Sequence, residues 1–354
     1  MSALSVIMSG NYKVPSMREI NEIEKKFTVI STFSGGGGSC LGYKMAGGRV
    51  LVANEFIPQA QATYRQNFPD TNLLTGDIRT LKGSDFLESA NLKVGELDIF
   101  DGSPPCSAFS TAGKRSKGWG KEKKYSSKVQ VVDDLFFEYA RLLQEIQPKV
   151  FIAENVKGLA VGNAKGYLKE IVGCLKMCGY DVKVKILNAL NYGVPQNRER
   201  LIFIGVRKDL NISPVFPSTH VQWPPIGEAI SGADNSMTFN LNPKTETYKI
   251  YMKCRNEARR AQFTKYAPKG GWYTHYRLSN NDHSCTISTC QDTYHPDEPR
   301  TLSIGELKRI QSLPDDFITT GKFAEQWERI GRMVAPYMMK HVAETMYERV
   351  LKNV

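Results

Sequence analysis

The sequence predicts an α/β protein: a mainly parallel β-sheet covered by helices on both faces, with a smaller second domain attached. Three observations predict it. Short apolar, β-branched runs alternate with helical patterns over the first two hundred residues. Glycine-rich or charged turns follow those runs at their carboxyl ends. Beyond residue 207 the alternation fades into proline, aromatic and basic residues.

The run TVISTF (28–33) leads directly into GGGGSCLG (35–42), a strand, a glycine turn and a helix. VLVANEF (50–56) follows at the spacing of the next strand of a βαβ unit, and LDIF (97–100) is a third strand, running into DGSPPC. Residues 133–147 carry Leu135, Phe136, Tyr139, Leu142, Leu143 and Ile146 at helical spacing, with Asp133 or Asp134 near the start and Pro148 as the stop. VFIA (150–153) is a strand ending at Glu154-Asn155, and VKVKIL (182–187) and LIFIGV (201–206) are two more. Prolines then gather at 214, 217, 224 and 225. Between Lys244 and Arg277 nine basic residues face two acidic ones, with seven aromatics interleaved. Helical patterns return at 303–311 and 334–352. The expected division is 1–207, then a small domain at 208–300, then 301–354 as a hinge and a C-terminal helix returning to the first domain.

With 41% hydrophobic residues among 354, the chain supports a sizeable core. No apolar run approaches the roughly 20 residues of a membrane span, and the first twenty residues lack the pattern of a secretory signal. A net charge of +11 favours a polyanionic partner, most simply nucleic acid. The seven cysteines have no framework spacing, and neither Cys174/Cys178 nor Cys285/Cys290 is accompanied by a histidine cluster. The expectation is therefore free thiols in a cytoplasm and no metal; nothing in the sequence suggests an obligate oligomer, so a monomer is expected.

Several residues carry chemistry. A glycine turn between strand and helix cradles a nucleotide, because glycines let the backbone approach a ligand closely. Glu55, at the end of the next strand, suits ribose hydroxyls. Asp77 and Ile78 suit an adenine, by hydrogen bond and apolar contact. No Gly-Lys-Ser/Thr ending is present, so a nucleoside such as adenosylmethionine fits better than a triphosphate. Cys106, in GSPPCSAFS (102–110), stands at the carboxyl edge of the sheet, where open α/β folds bind ligands. The stretch 111–128 holds seven basic residues and one acid, either a solvated loop or a basic lid over a phosphate backbone. Glu154 brings a carboxyl to the same edge. Arg198 and Arg200, two apart, point to one face and call for an anionic or carbonyl partner.

Together these blocks resemble the DNA cytosine-5 methyltransferases of bacterial or phage type. FSGGGGSCLG (33–42) resembles the cofactor loop, Pro105-Cys106 with Ser110 the nucleophile motif, and Glu154-Asn155-Val156 the base-recognition motif. Gln196, Arg198 and Arg200 fit the basic motif. RTLSIGELKRIQSLPDDF (300–317) resembles the segment that supports a target-recognition domain, and IGRMVAPYMMKHVAETM (330–346) the closing cofactor motif.

The resemblance implies a Rossmann-like, class I adenosylmethionine-dependent fold, with 1–207 catalytic and cofactor-binding and 208–300 choosing the target sequence. It implies base flipping, Cys106 as nucleophile on carbon 6 of cytosine, Glu154 on N3, Arg200 on the base carbonyl and Arg198 in support. The implied cofactor residues are Phe33, Ser34, Gly35, Gly37, Gly38, Glu55, Phe56, Asp77, Ile78, Ser103, Pro104 and Arg332. Double-stranded DNA would meet Ser110, Lys114, Arg115, Lys117, Gln196 and Thr286. The setting implied is the cytoplasm of a bacterial or phage-infected cell, as a restriction–modification or phage enzyme.

Three positions depart from the family pattern. Ser31 stands where an acid is usual, Asn197 where a basic residue is common, and Gly331-Arg332 where Gly-Asn is usual. Arg332 has three readings: it points away, it neutralises the cofactor carboxylate, or it selects carboxy-S-adenosylmethionine and makes the enzyme a carboxymethyltransferase. Two other classes compete with the leading one, a catalytically silent DNA-binding relative and an RNA methyltransferase. The presence of Cys106, Glu154 and Arg200 argues against the first, and the order of the blocks against the second.

Overall fold

The computed structural model describes residues 12–105, 123–125, 128–130, 135–161, 164–218, 221–267 and 271–354. They form two compact units. The sheet unit comprises Glu22–Leu187, Glu199–Ser218 and Met339–Val354; the second unit comprises Met1–Asn21, Asn188–Arg198 and Thr219–Met338. This division corrects the sequence boundaries in two respects. Residues 12–21 and 188–198 leave the first domain for the second unit, and of the 301–354 tail only the part from Met339 onward belongs with the sheet.

The sheet unit is built on β1 (Phe27–Thr32), α2 (Gly38–Met45), β2 (Gly48–Asn54), α3 (Pro58–Asn67), β3 (Asn72–Leu74), α4 (Gly83–Ala90) and β4 (Ile99–Gly102), with α1 (Met17–Asn21) preceding them in the second unit. A two-stranded antiparallel pair follows, β5 (Lys123–Tyr125) and β6 (Lys128–Gln130). Then come α5 (Leu135–Ile146), β7 (Val150–Val156), α6 (Lys165–Met177), β8 (Tyr180–Asn188) and β9 (Glu199–Arg207). Seven strands lie in the order β3-β2-β1-β4-β7-β9-β8. The pairs β2/β3, β1/β2, β1/β4 and β4/β7 are parallel, and β7/β9 is antiparallel.

The central strands read as near-continuous apolar runs because both of their faces are covered. All four residues of β4 and the first six of β7 are buried. Helix α5 covers one face with the residues that its spacing predicted, Leu135, Phe136, Tyr139, Leu142, Leu143 and Ile146 all being buried. The Tyr139 hydroxyl, buried with them, reaches the backbone carbonyls of Phe100 (3.0 Å) and Ile152 (3.2 Å), which satisfies its polar end inside the core. The edge strand β3 was not expected from the sequence; three residues are too few for a periodic signal.

The second unit contains α7 (Ile226–Ala229), α8 (Glu246–Cys254), the strands β10 (Ala261–Gln262), β11 (Tyr276–Arg277) and β12 (Thr293–Tyr294), then α9 (Ile304–Ile310), α10 (Phe323–Arg332) and the start of α11 (Pro336–Arg349). Its core gathers Ile250, Tyr251, Cys254, Ala261, Phe263 and Tyr294, with Phe263 stacked on Tyr294 at 4.8 Å. Much of the interleaved aromatic content therefore builds the interior, while Tyr273 stays 69% exposed. Helix α9 begins where the helical pattern predicted, because Ser303 and Glu306 form a reciprocal capping box. Arg300 holds Glu306 through two hydrogen bonds of 2.9 and 2.8 Å. Among the described residues, no helix is long and apolar enough to cross a membrane.

Gly37, the N-cap of α2, has φ +96°, and a Cβ there would lie 2.1 Å from Cε2 of Phe68. Gly37→Ala is expected to destabilise the protein by about 1–3 kcal/mol through overpacking and backbone strain. Urea unfolding checks this; an unchanged midpoint would contradict the packing of α2.

Candidate active site

The turn after β1 is shaped by backbone and carboxylate together. Phe33 and Gly35 are both left-handed, at φ 53° and 55°. A non-glycine residue holds that conformation only where its neighbours fix it. Here the Ser34 amide donates to Asn54 O (3.0 Å), and the Ser34 hydroxyl lies within bonding distance of both Ser31 O (3.1 Å) and Ser31 Oγ (3.2 Å). Glu55, just past β2, accepts the Gly35 amide on Oε2 and the Ile57 amide on Oε1, each at 2.7 Å. Its carboxylate is buried beside the turn. That is a preformed cradle: a backbone free of Cβ groups at Gly35 and Gly37, next to an acceptor suited to hydroxyl groups.

Asp77 accepts the Arg79 amide at 3.1 Å and so caps the short helical turn Ile78–Thr80. Ile78 is buried and packs in the main core, which limits the surface it offers a ligand. Phe56 is half-buried beside Glu55.

At the end of β7 the Asn155 amide donates to Pro104 O (3.0 Å), tying this strand to the segment Ser103–Pro105. Cys106 follows that segment and lies outside the described residues, as do Ser110, Lys114, Arg115 and Lys117. The buried Glu154 and the partly buried Arg200 come together as an ion pair, Nε to Oε1 at 2.8 Å, and Arg200 Nη1 donates to Glu199 O at 2.8 Å. In the antiparallel register Val156 pairs with Arg200 and Glu154 with Ile202, so the two side chains meet diagonally on one face. Burial lowers the Arg200 guanidinium from its usual value, and Glu154 opposes that shift.

Arg198 has a different fate. In the second unit it is 1% exposed, and its guanidinium donates to Gly331 O (2.8 Å), Ile287 O (3.2 Å) and Gln196 Oε1 (3.4 Å). Its carbonyl partners make it a brace. Gln196 is fully buried; its amide nitrogen donates to Gln311 Oε1 (2.6 Å), and its oxygen accepts the Ile287 amide (3.1 Å). The expectation that Gln196 contacts DNA is corrected accordingly, because both ends of its side chain are occupied inside the unit. Thr286 is exposed and donates to Asn197 O at 2.6 Å. Arg332 is half-exposed and directs Nε and Nη2 to Glu328 Oε1 at 2.9 and 2.7 Å, one turn back on α10.

Asp101 is not among the residues that the sequence pattern singled out. This last acid of β4 is 1% exposed and accepts the Ser31 hydroxyl at 2.7 Å and the Tyr43 hydroxyl at 2.8 Å. Its signal was present as an acid directly after the apolar strand run LDIF. Burial pushes its carboxyl up to about 7; the two hydroxyl donors act the other way, and Glu154 adds a smaller upward push. Among the described residues no cluster of three or more metal-ligating side chains occurs.

Residues 27–348 match the family of C-5 cytosine-specific DNA methylases. The chain belongs to that family. It is a DNA cytosine-5 methyltransferase of bacterial or phage type, and its match spans both units. It is 32% identical to the Type II methyltransferase M1.HphI of Haemophilus parahaemolyticus over 331 residues, covering 90% of this chain and 86% of that one. It is also 32% identical to the Type II methyltransferase M.Eco47II of Escherichia coli over 341 residues, covering 87% and 76%. Among solved structures, a candidate DNA modification methyltransferase encoded within an E. coli prophage superposes with a TM-score of 0.70 at 21% identity, covering 92% of this methyltransferase and 99% of that chain. A Spodoptera frugiperda DNMT2 variant gives 0.62 at 16%, covering 91% and 100%. At those identities the structures establish a shared fold.

The raised Asp101 carboxyl makes the methyltransferase's stability depend on pH. The folded state holds this proton more tightly than the unfolded chain, so the contribution is complete below the ordinary carboxyl value of 3.8 and is lost as pH rises through about 7. The loss of unfolding free energy between pH 5 and pH 8 should be smaller in Asp101→Asn than in the parent. Urea titrations at the two pH values check this, and equal losses would contradict the burial of the charge.

Proposed function

We propose that the enzyme transfers a methyl group from S-adenosylmethionine to carbon 5 of a cytosine flipped out of a specific double-stranded DNA sequence. The observation that carries this reading is the Glu154–Arg200 ion pair at the end of β7, in a chain whose family acts on cytosine.

The cradle fits the cofactor. Phe33, Ser34, Gly35, Gly37, Gly38, Glu55, Phe56, Asp77 and Ile78 would hold its nucleoside part, with Ser103 and Pro104 beside them. Glu55 presents carboxylate oxygens beside a turn that has no lysine to meet a phosphate, as a neutral ribose requires. When bound, the cofactor supplies an electrophilic methyl on a sulfonium.

The protein's own residues do the rest. The base must leave the stack, because carbon 6 is out of reach within a duplex. The Cys106 thiolate forms a bond to carbon 6, and the ring's electron pair becomes available at carbon 5. Glu154 shares a proton with N3 and offsets the negative charge that the attack delivers to the ring. Arg200, bonded to that carboxylate, sets its orientation and donates to the base carbonyl, while Arg198 braces the adjoining chain. After transfer, carbon 5 gives its proton to a base, the carbon–sulfur bond breaks, and the ring double bond re-forms with Cys106 released.

Ser110, Lys114, Arg115 and Lys117 would hold the phosphate backbone. Thr286 and the basic, partly exposed aromatic surface of the second unit would read the target. Methyl is the transferred group in this reading: Arg332 is engaged with Glu328 on its own helix, which gives the carboxymethyl alternative no support. The names of the Type II relatives support a restriction–modification setting in a bacterial or phage-infected cytoplasm.

Mass spectrometry of nucleosides from duplex DNA incubated with the enzyme tests the proposal, with S-adenosylmethionine and carboxy-S-adenosylmethionine supplied separately. The expected product is 5-methylcytosine. It should be lost in Cys106→Ser and slowed about 10²–10⁴-fold in Glu154→Gln. A carboxymethyl product would overturn the choice of donor, and unmodified cytosine in both reactions would overturn the enzyme reading.

A further inference from the structure

One carboxyl flanks the glycine turn on both sides. Asp101 and Ser31 face each other in the β1/β4 register. Oδ2 of Asp101 accepts the Ser31 hydroxyl on the strand entering the turn, and Oδ1 accepts the Tyr43 hydroxyl on the helix leaving it. The connection continues outward, because Ser34 in the turn reaches Ser31 Oγ and Ser31 O. Thr32 Oγ1 also donates to Asp101 O at 3.1 Å. The strands are tightly apposed here: a Cβ at Gly102 would lie 2.7 Å from Thr32 Oγ1. Between these anchors sits Phe33, in a backbone conformation that relaxes unless it is held.

We propose that Asp101 is a positioning residue for the cofactor: through Ser31 and Tyr43 it clamps both flanks of the glycine turn and keeps residues 33–37 in the form that binds the ligand. This rests on the reading that the turn is the cofactor site. The position of the acid explains the departure at Ser31. The carboxyl usual on β1 is supplied from the facing position on β4, and Ser31 becomes the donor that meets it.

The same two strands provide an internal control. At their opposite end Asp98 accepts both the amide (2.8 Å) and the hydroxyl (2.9 Å) of Thr28, a comparable cross-strand tie away from the turn. A merely structural role for Asp101 predicts that the two acids behave alike.

The test is calorimetric titration of the full-length enzyme with S-adenosylhomocysteine, together with steady-state methylation and thermal melting. The parent should bind. Asp101→Asn should weaken binding about tenfold or more and raise KM for S-adenosylmethionine, with kcat at saturation and KM for DNA largely kept. Asp98→Asn should lower the melting temperature without moving the affinity. The exchange Ser31→Asp with Asp101→Ser, which restores the pair in the opposite sense, should recover most of the binding. Ser34→Ala breaks the outer link alone and should weaken binding with little change in melting, so the proposal stays testable if Asp101→Asn does not fold. Parental binding with unchanged affinity in Ser34→Ala, or in a folded Asp101→Asn, would overturn the clamp and leave the cofactor site intact. Absence of binding by the parent would overturn both.

Discussion

Three carboxylates are buried where the parallel strands of the sheet unit end, and a carboxylate taken out of water must be surrounded by donors. The architecture of the site follows from where each finds them. Glu55 takes two backbone amides, one from the glycine turn and one from the start of α3. Asp101 takes two hydroxyls, from β1 and α2. Glu154 takes a guanidinium from the antiparallel neighbour β9. Parallel strands bring the ends of β1, β2, β4 and β7 to one edge, so satisfying these acids also shapes the turns between them. The positions of Phe33 and Ser34 thus follow from the same electrostatic requirement that places Glu154.

Arg198 and Arg200 show how strongly context divides two similar residues. A period of two would set them on one face with one kind of partner. Strand β9, however, begins at Glu199, and Arg198 precedes it in the other unit. There the charge is met by main-chain carbonyls of Ile287 and Gly331. Arg200 keeps the carboxylate. The separation suits the proposed chemistry, in which a brace would not compete for the carboxyl that shares a proton with the base.

Much of the sheet unit was legible because its signals are local. A strand buried on both faces is an apolar run, and the acids Glu55 and Glu154 stand where such runs stop. The helix over 135–146 displayed its buried face directly in its spacing. What escaped depends on partners distant in the chain. Gln196 resembles a surface polar residue until Ile287 and Gln311 enclose it, 91 and 115 positions later. Asp101 is 70 residues from Ser31, and only the β1/β4 register reveals that the missing acid of one strand stands on the other. The domain boundary escaped for a related reason: residues 188–198 lie between two strands of one sheet, yet Pro195, Gln196, Asn197 and Arg198 hydrogen-bond to residues beyond 280.

The Glu154–Arg200 pair is better explained by chemistry than by stability. Burying two opposite charges costs several kcal/mol per ion, and an apolar pair of similar volume is often as stabilising. Desolvation works against Arg200 even here, with the carboxylate 2.8 Å away. In the proposed mechanism Glu154 would share a proton with a ring nitrogen, which calls for a low-dielectric setting, where hydrogen bonds are strong, and for a partner that keeps the carboxyl oriented before the base arrives. The ion pair meets both needs in the free enzyme. The hydroxyl-bound Asp101 one strand away adds a like charge only as it loses its own proton, so the acidic edge carries less charge than its three carboxyls would suggest.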